Sequence, residues 1–236
     1  MKLFCLIPSY NESGNLKELC LRLNSVLKRK KIDYKILFIL QGDVKSIEIL
    51  KIIQKSYPQI GFQYFPNALG IGKAYRTGFL KVPKKWTHVL TLDADLNHQP
   101  EELEKFFHAL QKTNADIVIG SRFIKGGNFY DKRWWKRIGS QFVNQVINIL
   151  LGITIKDKTS GYRLIKKEVI ANIGLKVKEK GYPFYMEFIL LAQKSRYSIV
   201  EVPINYVPRK WGKSKMGKIK TLIDYLAFFC KLLINS

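Results

Sequence analysis

The chain has 236 residues and a formal net charge of +23 at pH 7. That length suits one large domain or two small ones with a substantial core. Hydrophobic and charged fractions of 47% and 25% are those of a folded globular protein rather than a disordered one. The excess of positive charge predicts an anionic partner, which is a nucleic acid, a membrane surface or a phosphorylated substrate.

The sequence predicts a cytoplasmic protein. The first residues, MKLFCLIP, lead directly into an expected core strand and show no signal peptide. No apolar run approaches the roughly 20 residues of a membrane-spanning helix. The cysteines Cys5, Cys20 and Cys230 are scattered in apolar surroundings, which is typical of reduced core thiols rather than disulfides or metal ligands.

The first half of the chain alternates strand-like and helix-like segments. We predict strands over 2–7, 34–40, 61–65, 89–92 and 115–120, and helices over 14–30, 47–54, 71–81 and 101–112. Repeated βα units imply an α/β fold with a mostly parallel central sheet, flanked by helices. Ligands of such sheets bind at the carboxyl ends of the strands, so the candidate site loops follow Ile7, Leu40, Phe65, Leu92 and Gly120.

The second half of the chain has a different pattern. We predict a loop and helix start rich in Arg, Lys, Trp and Gly over 121–140, helices over 143–151 and 183–194, a turn and strand over 156–164, and a strand over 197–207. A basic, glycine-containing loop over 208–220 precedes an amphipathic helix over 221–234. We therefore expect one domain over 1–216 and a C-terminal amphipathic helix within 217–236, packed on the domain or on a membrane surface.

A pair of carboxylates, Asp93 and Asp95, follows the predicted strand over 89–92. Two acids one residue apart at the end of a strand can both reach one hard cation, and Mg²⁺ or Mn²⁺ prefers carboxylate oxygens and often shares substrate phosphates. The pair therefore predicts metal-assisted handling of a nucleotide diphosphate, although an Asx turn before a helix cap has the same pattern. Nearby His98 is interpreted as a surface loop histidine, and a supporting position behind the acidic pair is the alternative.

Five short motifs lie in order along the chain. They are PSYNE at 8–12, GIGKAYRTGF at 70–79, DADLNH at 93–98, GSR at 120–122 followed by KGG, and DKTSGYR at 157–163. Together they resemble the family-two inverting glycosyltransferases of the GT-A fold, and most of all the dolichyl-phosphate mannosyltransferase branch, or polyprenyl-phosphate sugar synthases. The likeness extends over nearly the whole chain, to EVPI at 201–204 and RKWGKSK at 209–215.

The resemblance implies transfer of one sugar, mannose or a glucose-like hexose, from a GDP- or UDP-sugar to a polyprenyl or dolichyl phosphate. It implies inversion at the transferred carbon and Mg²⁺ or Mn²⁺ as cofactor. Asp93 would lie beside the metal and the ribose, and Asp95 would bind the metal directly. Asn97 stands where the branch often has Gln and would reach the metal through water.

The resemblance also assigns the donor pocket. Pro8, Tyr10 and Glu12 would line the nucleotide site, and Arg209 and Lys215 would close over the diphosphate from a mobile loop. Further implied contacts to the nucleotide-sugar are those of Gln41 and Lys73. Family members usually carry two acids where this chain has Leu40-Gln41, and one of those acids recognises the base, so the nucleotide base is left open between guanine and uracil.

The nature of the acceptor decides whether a general base is needed. A hydroxyl acceptor needs a base, whereas a phosphate monoester is largely ionised near neutral pH and needs cations to hold it. The resemblance implies that Arg122, Lys136 and Ser140 bind the acceptor phosphate. Asp157 is the one plausible base. The alternative role for Asp157 is structural, as an Asx residue that forms a turn.

Two further hypotheses remain beside the lipid-phosphate transferase. The first is an enzyme of the same fold with a hydroxyl acceptor on a cell-surface glycan, in which Asp157 or Glu187 is the base. The second is a non-catalytic anion-binding module that uses the basic segments 132–137 and 208–220. No helix-turn-helix, zinc or RNA-recognition signature supports nucleic-acid binding, and we expect none.

The positive charge and the amphipathic end of the chain predict attachment to an anionic membrane. About 1 kcal/mol per basic residue near such a surface accumulates quickly, and no spanning segment is predicted. We expect a peripheral protein on the cytosolic face of a membrane. Binding to a small membrane-protein partner is a further way in which it could be attached.

Overall fold

The computed structural model describes residues 1–130, 134–212 and 217–234. The N-terminal half contains β1 (Lys2–Tyr10), α1 (Ser13–Arg29), β2 (Asp33–Gln41), α2 (Lys45–Ser56), β3 (Ile60–Phe65), α3 (Ile71–Phe79), β4 (His88–Thr91), a 3₁₀ turn (Pro100–Glu102), α4 (Leu103–Thr113) and β5 (Ile117–Ser121). The remainder contains β6 (Asn128–Phe129), α5 (Trp134–Leu151), β7 (Arg163–Lys166), α6 (Lys167–Val169), a π-helical turn (Ile170–Gly174), α7 (Phe184–Lys194), β8 (Ile199–Pro203), β9 (Asn205–Tyr206) and α8 (Lys218–Ile234).

A seven-stranded sheet in the order β3-β2-β1-β4-β7-β5-β8 forms the centre of the molecule. Every neighbouring pair is parallel except those of β7, which runs antiparallel to β4 and to β5. The predicted α/β fold with a mostly parallel sheet is thus confirmed. Because β1, β2, β4 and β5 share one direction, the loops that follow them meet at one edge of the sheet.

The second half departs from its predicted elements. Most of the strand predicted within 156–164 is a turn, and the strand β7 begins only at Arg163. The strand predicted over 197–207 is divided into β8 and β9, and β9 leaves the main sheet to pair in parallel with β6. The helix predicted over 143–151 begins at Trp134, within the loop and helix start predicted over 121–140, so residues 134–137 of the basic segment 132–137 are helical.

Two hydrophobic clusters cover the two faces of the sheet. Alternating β1 side chains divide between them, with Cys5 in the cluster beneath α1, α2 and α4 and Leu6 in the cluster beneath α3 and α7. Burial of both faces is typical of parallel sheets. Cys5 and Cys20 are buried free thiols, as predicted, but Cys230 is exposed on α8, so the prediction of a third core thiol is wrong.

The C-terminal helix α8 packs on the second cluster through one side. Phe228 is buried there, and Tyr225, Phe229 and Leu232 are partly buried against it. Within the described residues, no helix has both the length and the apolarity needed to cross a bilayer.

Candidate active site

The loop after β4 presents two carboxylates at the sheet edge. Asp93 is partly open, and its Oδ1 accepts a hydrogen bond from the Tyr185 hydroxyl at 3.2 Å. Asp95 is buried, and its Oδ1 accepts from the backbone N–H of Asn97 at 3.1 Å. Burial raises the pKa of both carboxyl groups, and the neighbouring charge of Asp93 raises that of Asp95 further.

These carboxylates fit a divalent cation. Two desolvated like charges on one short loop oppose each other's ionisation, and a hard cation offsets that cost. In the described part of the chain no group of three or more His, Cys, Asp or Glu side chains is arranged to hold a metal. Further ligands would therefore be water and diphosphate oxygens, which is usual for Mg²⁺.

The side chain of Asn97 is engaged within the protein. It is fully buried, its amide nitrogen donates to the carbonyl oxygen of Val207, and its amide oxygen accepts from the Tyr206 hydroxyl at 3.1 Å. The contact to metal predicted for Asn97 passes through water, and a second lone pair of its amide oxygen is the acceptor left for such a water. In this structure Asn97 joins the carboxylate loop to the segment that follows β9.

The predicted donor-pocket residues lie at the ends of β1 and β2. Pro8 is buried, Tyr10 is exposed, and Tyr10 is paired in register with Gln41 of the neighbouring strand. Gln41 is buried, and its Oε1 accepts from the backbone N–H of Leu69 at 2.7 Å. Gln41 thus supports the loop before α3, and Lys73 is exposed in the first turn of that helix.

Arg209 joins the first motif to the carboxylate loop. Its Nη1 lies 3.1 Å from Oε1 of buried Glu12, and its Nη2 lies 2.6 Å from Oδ2 of Asp95. The indole of Trp211 packs so closely on Gly14 that a Cβ at Gly14 would overlap the ring. The described start of the basic loop, residues 208–212, therefore lies against the predicted nucleotide-binding residues, while Lys215, predicted to bind the diphosphate, lies outside the described residues.

A second group forms around Arg122, directly after β5. The Arg122 Nε and Nη2 atoms each lie 2.7 Å from an oxygen of Asp157, and the Arg122 backbone N–H donates to the same carboxylate at 3.0 Å. Burial alone would raise the pKa of Asp157, but the ion pair outweighs it, and the pKa is below its ordinary value. Asp157 has no exposed surface.

Aromatic rings and a threonine complete the surroundings of Arg122. The rings of Phe123, Phe129 and Tyr206 have their centroids 5.0–5.4 Å from the guanidinium carbon. Its Nη2 also donates to Thr159 Oγ1 at 2.6 Å. The guanidinium edge made by Nε and Nη2 is therefore occupied by the protein. With respect to the described residues, Nη1 is the nitrogen left to face a ligand.

The structure brings two of the three predicted acceptor-phosphate residues together. Ser140 Oγ on α5 lies 2.7 Å from Thr159 Oγ1, the atom that Arg122 also contacts. Lys136 belongs to the preceding turn of α5, and its side chain is outside the described part of the chain. The turn between α5 and β7 is held by Arg163, which is fully buried and donates to the carbonyl oxygens of Lys158, Ser160 and Tyr185.

Four further site residues were missed or misjudged from the sequence. His98 is buried rather than on the surface, because the rings of Tyr162 and Tyr206 pack on it, and its Nδ1 lies 3.6 Å from Asp93 Oδ2. Burial lowers the pKa of His98 to about 4, so its ring is neutral near pH 7. The sequence pattern predicts a helix around Tyr185, a strand around Tyr206 and a turn around Thr159. It gives no sign that these residues belong to a site.

Comparison with known proteins gives the family. The sequence model of the family described as Glycosyl transferase family 2 matches residues 4–174. The chain is 32% identical over 216 residues to a polyprenol monophosphomannose synthase of Mycolicibacterium smegmatis, with 90% of this chain and 80% of that protein covered. It is 31% identical over 237 residues to a dolichol-phosphate mannosyltransferase of Pyrococcus furiosus, with 99% of this chain covered, and it spans 64% of that relative's length.

Solved structures agree on the fold. Mannosyl-3-phosphoglycerate synthase from Rubrobacter xylanophilus has a TM-score of 0.69 at 12% identity, over 100% of this chain and 76% of that one. Glucosyl-3-phosphoglycerate synthase from Mycobacterium tuberculosis, in complex with Mn²⁺ and UDP-glucose, has a TM-score of 0.65 at 14% identity, over 98% of this chain and 78% of that one. The predicted GT-A fold is confirmed by these likenesses, and with a family match over well over half its length, the chain belongs to glycosyl transferase family 2 and is a glycosyltransferase.

Proposed function

We propose that the protein transfers a single mannose or glucose-like sugar from a GDP- or UDP-sugar to a polyprenyl or dolichyl phosphate, with inversion and with Mg²⁺ or Mn²⁺. The observation that carries this proposal is the ion pair of Asp157 with Arg122, which engages the carboxylate that would otherwise be the candidate base. Two relatives whose names are those of polyprenol- and dolichol-phosphate mannose enzymes support the same acceptor class.

The two candidate bases are both engaged in structural contacts. A general base needs a pKa near the working pH, whereas Asp157 is buried, paired twice with Arg122 and has a lowered pKa. Glu187 Oε2 accepts the backbone N–H groups of Lys178 and Glu179 at 2.9 and 2.7 Å. A lipid phosphate needs no base, so these contacts favour it over a hydroxyl acceptor.

The transfer would be a single displacement at the anomeric carbon. An oxygen of the acceptor phosphate forms the new bond from one side, while the bond to the nucleotide diphosphate breaks on the other and its electron pair leaves with the diphosphate. Arg122 and Lys136 would hold the acceptor phosphate, and Arg209 would move from Asp95 to the leaving diphosphate. A divalent cation held by Asp93 and Asp95 would supply charge neutralisation for the diphosphate.

The outer surface of α8 supports attachment to a membrane. Exposed apolar side chains recur at three- and four-residue spacing, which places them on one side of the helix, opposite buried Phe228: Ile219, Leu222, Ile223, Leu226, Leu233 and Ile234. A stripe of this kind, flanked by lysines, suits the interface of an anionic bilayer. We propose peripheral attachment on the cytosolic face, where the lipid acceptor is accessible, and a small membrane-protein partner would meet the same stripe.

The test is sugar transfer to polyprenyl phosphate in detergent, with a panel of GDP- and UDP-sugars and added Mg²⁺ or Mn²⁺. We expect a lipid-linked product of inverted anomeric configuration, formed with one donor and lost on chelation. Asp95→Asn should reduce the rate at least a hundredfold, because the remaining carboxylate holds the cation poorly. Asp116→Asn, which removes a carboxylate at the opposite edge of the sheet, should transfer at the wild-type rate. Wild-type protein that forms no product with any donor would contradict the proposal.

A further inference from the structure

Two residues predicted to bind the acceptor phosphate meet at one oxygen atom of the protein. Thr159 Oγ1 lies 2.6 Å from Arg122 Nη2 and 2.7 Å from Ser140 Oγ. Arg122 follows β5, Ser140 lies on α5, and Thr159 lies in the turn between α5 and β7. Three separate segments of the chain are therefore joined through a single hydroxyl group.

The direction of each hydrogen bond follows from the donors that are available. A threonine hydroxyl has one proton and two lone pairs. Its proton is directed to Asp157 Oδ1 at 3.0 Å, which as an ionised carboxylate oxygen can only accept, and Arg122 Nη2 can only donate. Ser140 must then donate its proton to Thr159, so the Thr159 hydroxyl is saturated and its orientation is fixed.

A second link holds the same turn of α5 in place. Asn144 is buried, its Nδ2 donates to the Ser140 carbonyl oxygen at 2.8 Å, and its Oδ1 accepts the backbone N–H of Lys158 at 2.8 Å. The backbone of the helix is thus tied to the residue before Thr159, and the Ser140 side chain is tied to Thr159 itself. Ser140 and Arg122 cannot separate without breaking bonds on both sides.

We propose that Thr159 is a positioning residue for the acceptor, an inference that rests on the proposed function. Thr159 fixes the Arg122 guanidinium and the Ser140 turn of α5 against each other before the lipid arrives, so that the phosphate meets an already oriented guanidinium. The Ser140 proton is directed to Thr159, so Ser140 would turn its hydroxyl to donate to the phosphate. Pre-arranged donors avoid the ordering cost that binding otherwise incurs. The donor-site carboxylates have other partners, Tyr185 and Arg209, so the effect of Thr159 is confined to the acceptor.

The test uses two substitutions of matched shape. Thr159→Val keeps the volume and removes the hydroxyl, and Thr159→Ser keeps the hydroxyl. We expect Thr159→Val to raise the KM for polyprenyl phosphate about tenfold or more, to leave the KM for the nucleotide-sugar within twofold, and Thr159→Ser to restore most of the acceptor affinity. Direct binding of farnesyl phosphate should weaken in Thr159→Val, while binding of farnesol, which lacks the phosphate, should not change.

Other outcomes separate the inference from the proposed function. If the wild type transfers sugar to the lipid phosphate but Thr159→Val keeps its acceptor KM, or raises both KM values together with a lower melting temperature, Thr159 is only structural and the inference is overturned. If the wild type binds farnesyl phosphate without transferring sugar to it, the proposed function fails, and the binding comparison alone decides the role of Thr159. A wild type that neither binds nor uses the phosphate overturns both.

Discussion

Asp157 has no exposed surface, and both of its carboxylate oxygens accept hydrogen bonds from Arg122. Its pKa is below the ordinary range, so the group is ionised throughout neutral pH, and the stability it contributes is lost only as the pH falls towards that lowered pKa. A carboxylate in this state orients a cation and is a poor acceptor for a substrate proton. Asp157 therefore favours a phosphate acceptor, which needs no base.

Substituting Asp157→Asn tests the distinction. The change leaves the Arg122 guanidinium without a counter-charge in a buried aromatic setting, and breaking a buried pair in this way costs about 3–5 kcal/mol. We expect a loss of that size in the free energy of unfolding, measured by urea denaturation at pH 7, together with a strong loss of transfer. The pH dependence of the residual rate should keep the wild-type shape, because no catalytic base has been removed.

Asp116→Asn is the matched control for stability. Asp116 pairs with Lys166 at 3.0 Å, and both side chains are partly exposed, so the ion pair itself contributes about 1 kcal/mol or less. An Asp157→Asn protein of wild-type stability, whose rate has lost its dependence on a carboxylate titration, would identify Asp157 as the base and remove the argument for a phosphate acceptor.

Among the structural elements, α8 presents its apolar stripe away from the core. Because its inner side packs through Phe228 on the second hydrophobic cluster, the outer stripe can contact a membrane while the helix stays on the domain. This arrangement is compatible with both roles predicted for the segment, a core helix and a membrane-surface helix. Amphipathic periodicity alone predicts one apolar side of a helix, whereas α8 has apolar residues both on its inner side and on its outer side.

The triple substitution Ile219→Ser, Leu222→Ser and Leu226→Ser should release the protein from membranes. Burial of each large apolar side chain contributes about 1.5–3 kcal/mol, so we expect at least tenfold weaker co-sedimentation with vesicles of phosphatidylglycerol and phosphatidylcholine. The control replaces by Ser the exposed Leu21 on α1, Ile52 on α2 and Leu80 directly after α3, and should bind as the wild type does. Equal binding by both triple variants would exclude the α8 stripe as the membrane contact.

The elements of the first half were predictable because the apolar residues of each follow a clear helix or strand period and each element ends at a recognisable loop. The strands β1 to β5 and the helices between them lie within a few residues of their predicted bounds. In the second half, β7 has only four residues, and a short apolar run carries no information about strand direction. Its antiparallel insertion between β4 and β5 depends on tertiary pairing with both, which local sequence does not encode.

At the scale of the whole molecule, the site was predictable where it depends on topology. Carboxyl ends of parallel strands meet at one edge, so the sequence placed Asp93, Asp95 and Arg122 on a common side. The contacts of His98 and Thr159 were not predictable, because they arise when β9 and α5 return to that edge from distant parts of the chain. The contact of Gln41 was not predictable either. The sequence shows only that Gln41 stands where the family usually has an acid, and it does not show that Gln41 supports the loop before α3 through the backbone N–H of Leu69.

We propose that the acceptor is a phosphate. The most direct measurement offers the wild-type enzyme equal amounts of polyprenyl phosphate, polyprenol of the same length and a soluble oligosaccharide, with one active nucleotide-sugar and Mg²⁺. Products are then resolved by mass spectrometry. We predict that the sugar appears on the lipid phosphate alone. Transfer to polyprenol or to the oligosaccharide at a comparable rate would contradict the account and return Asp157 to the role of base.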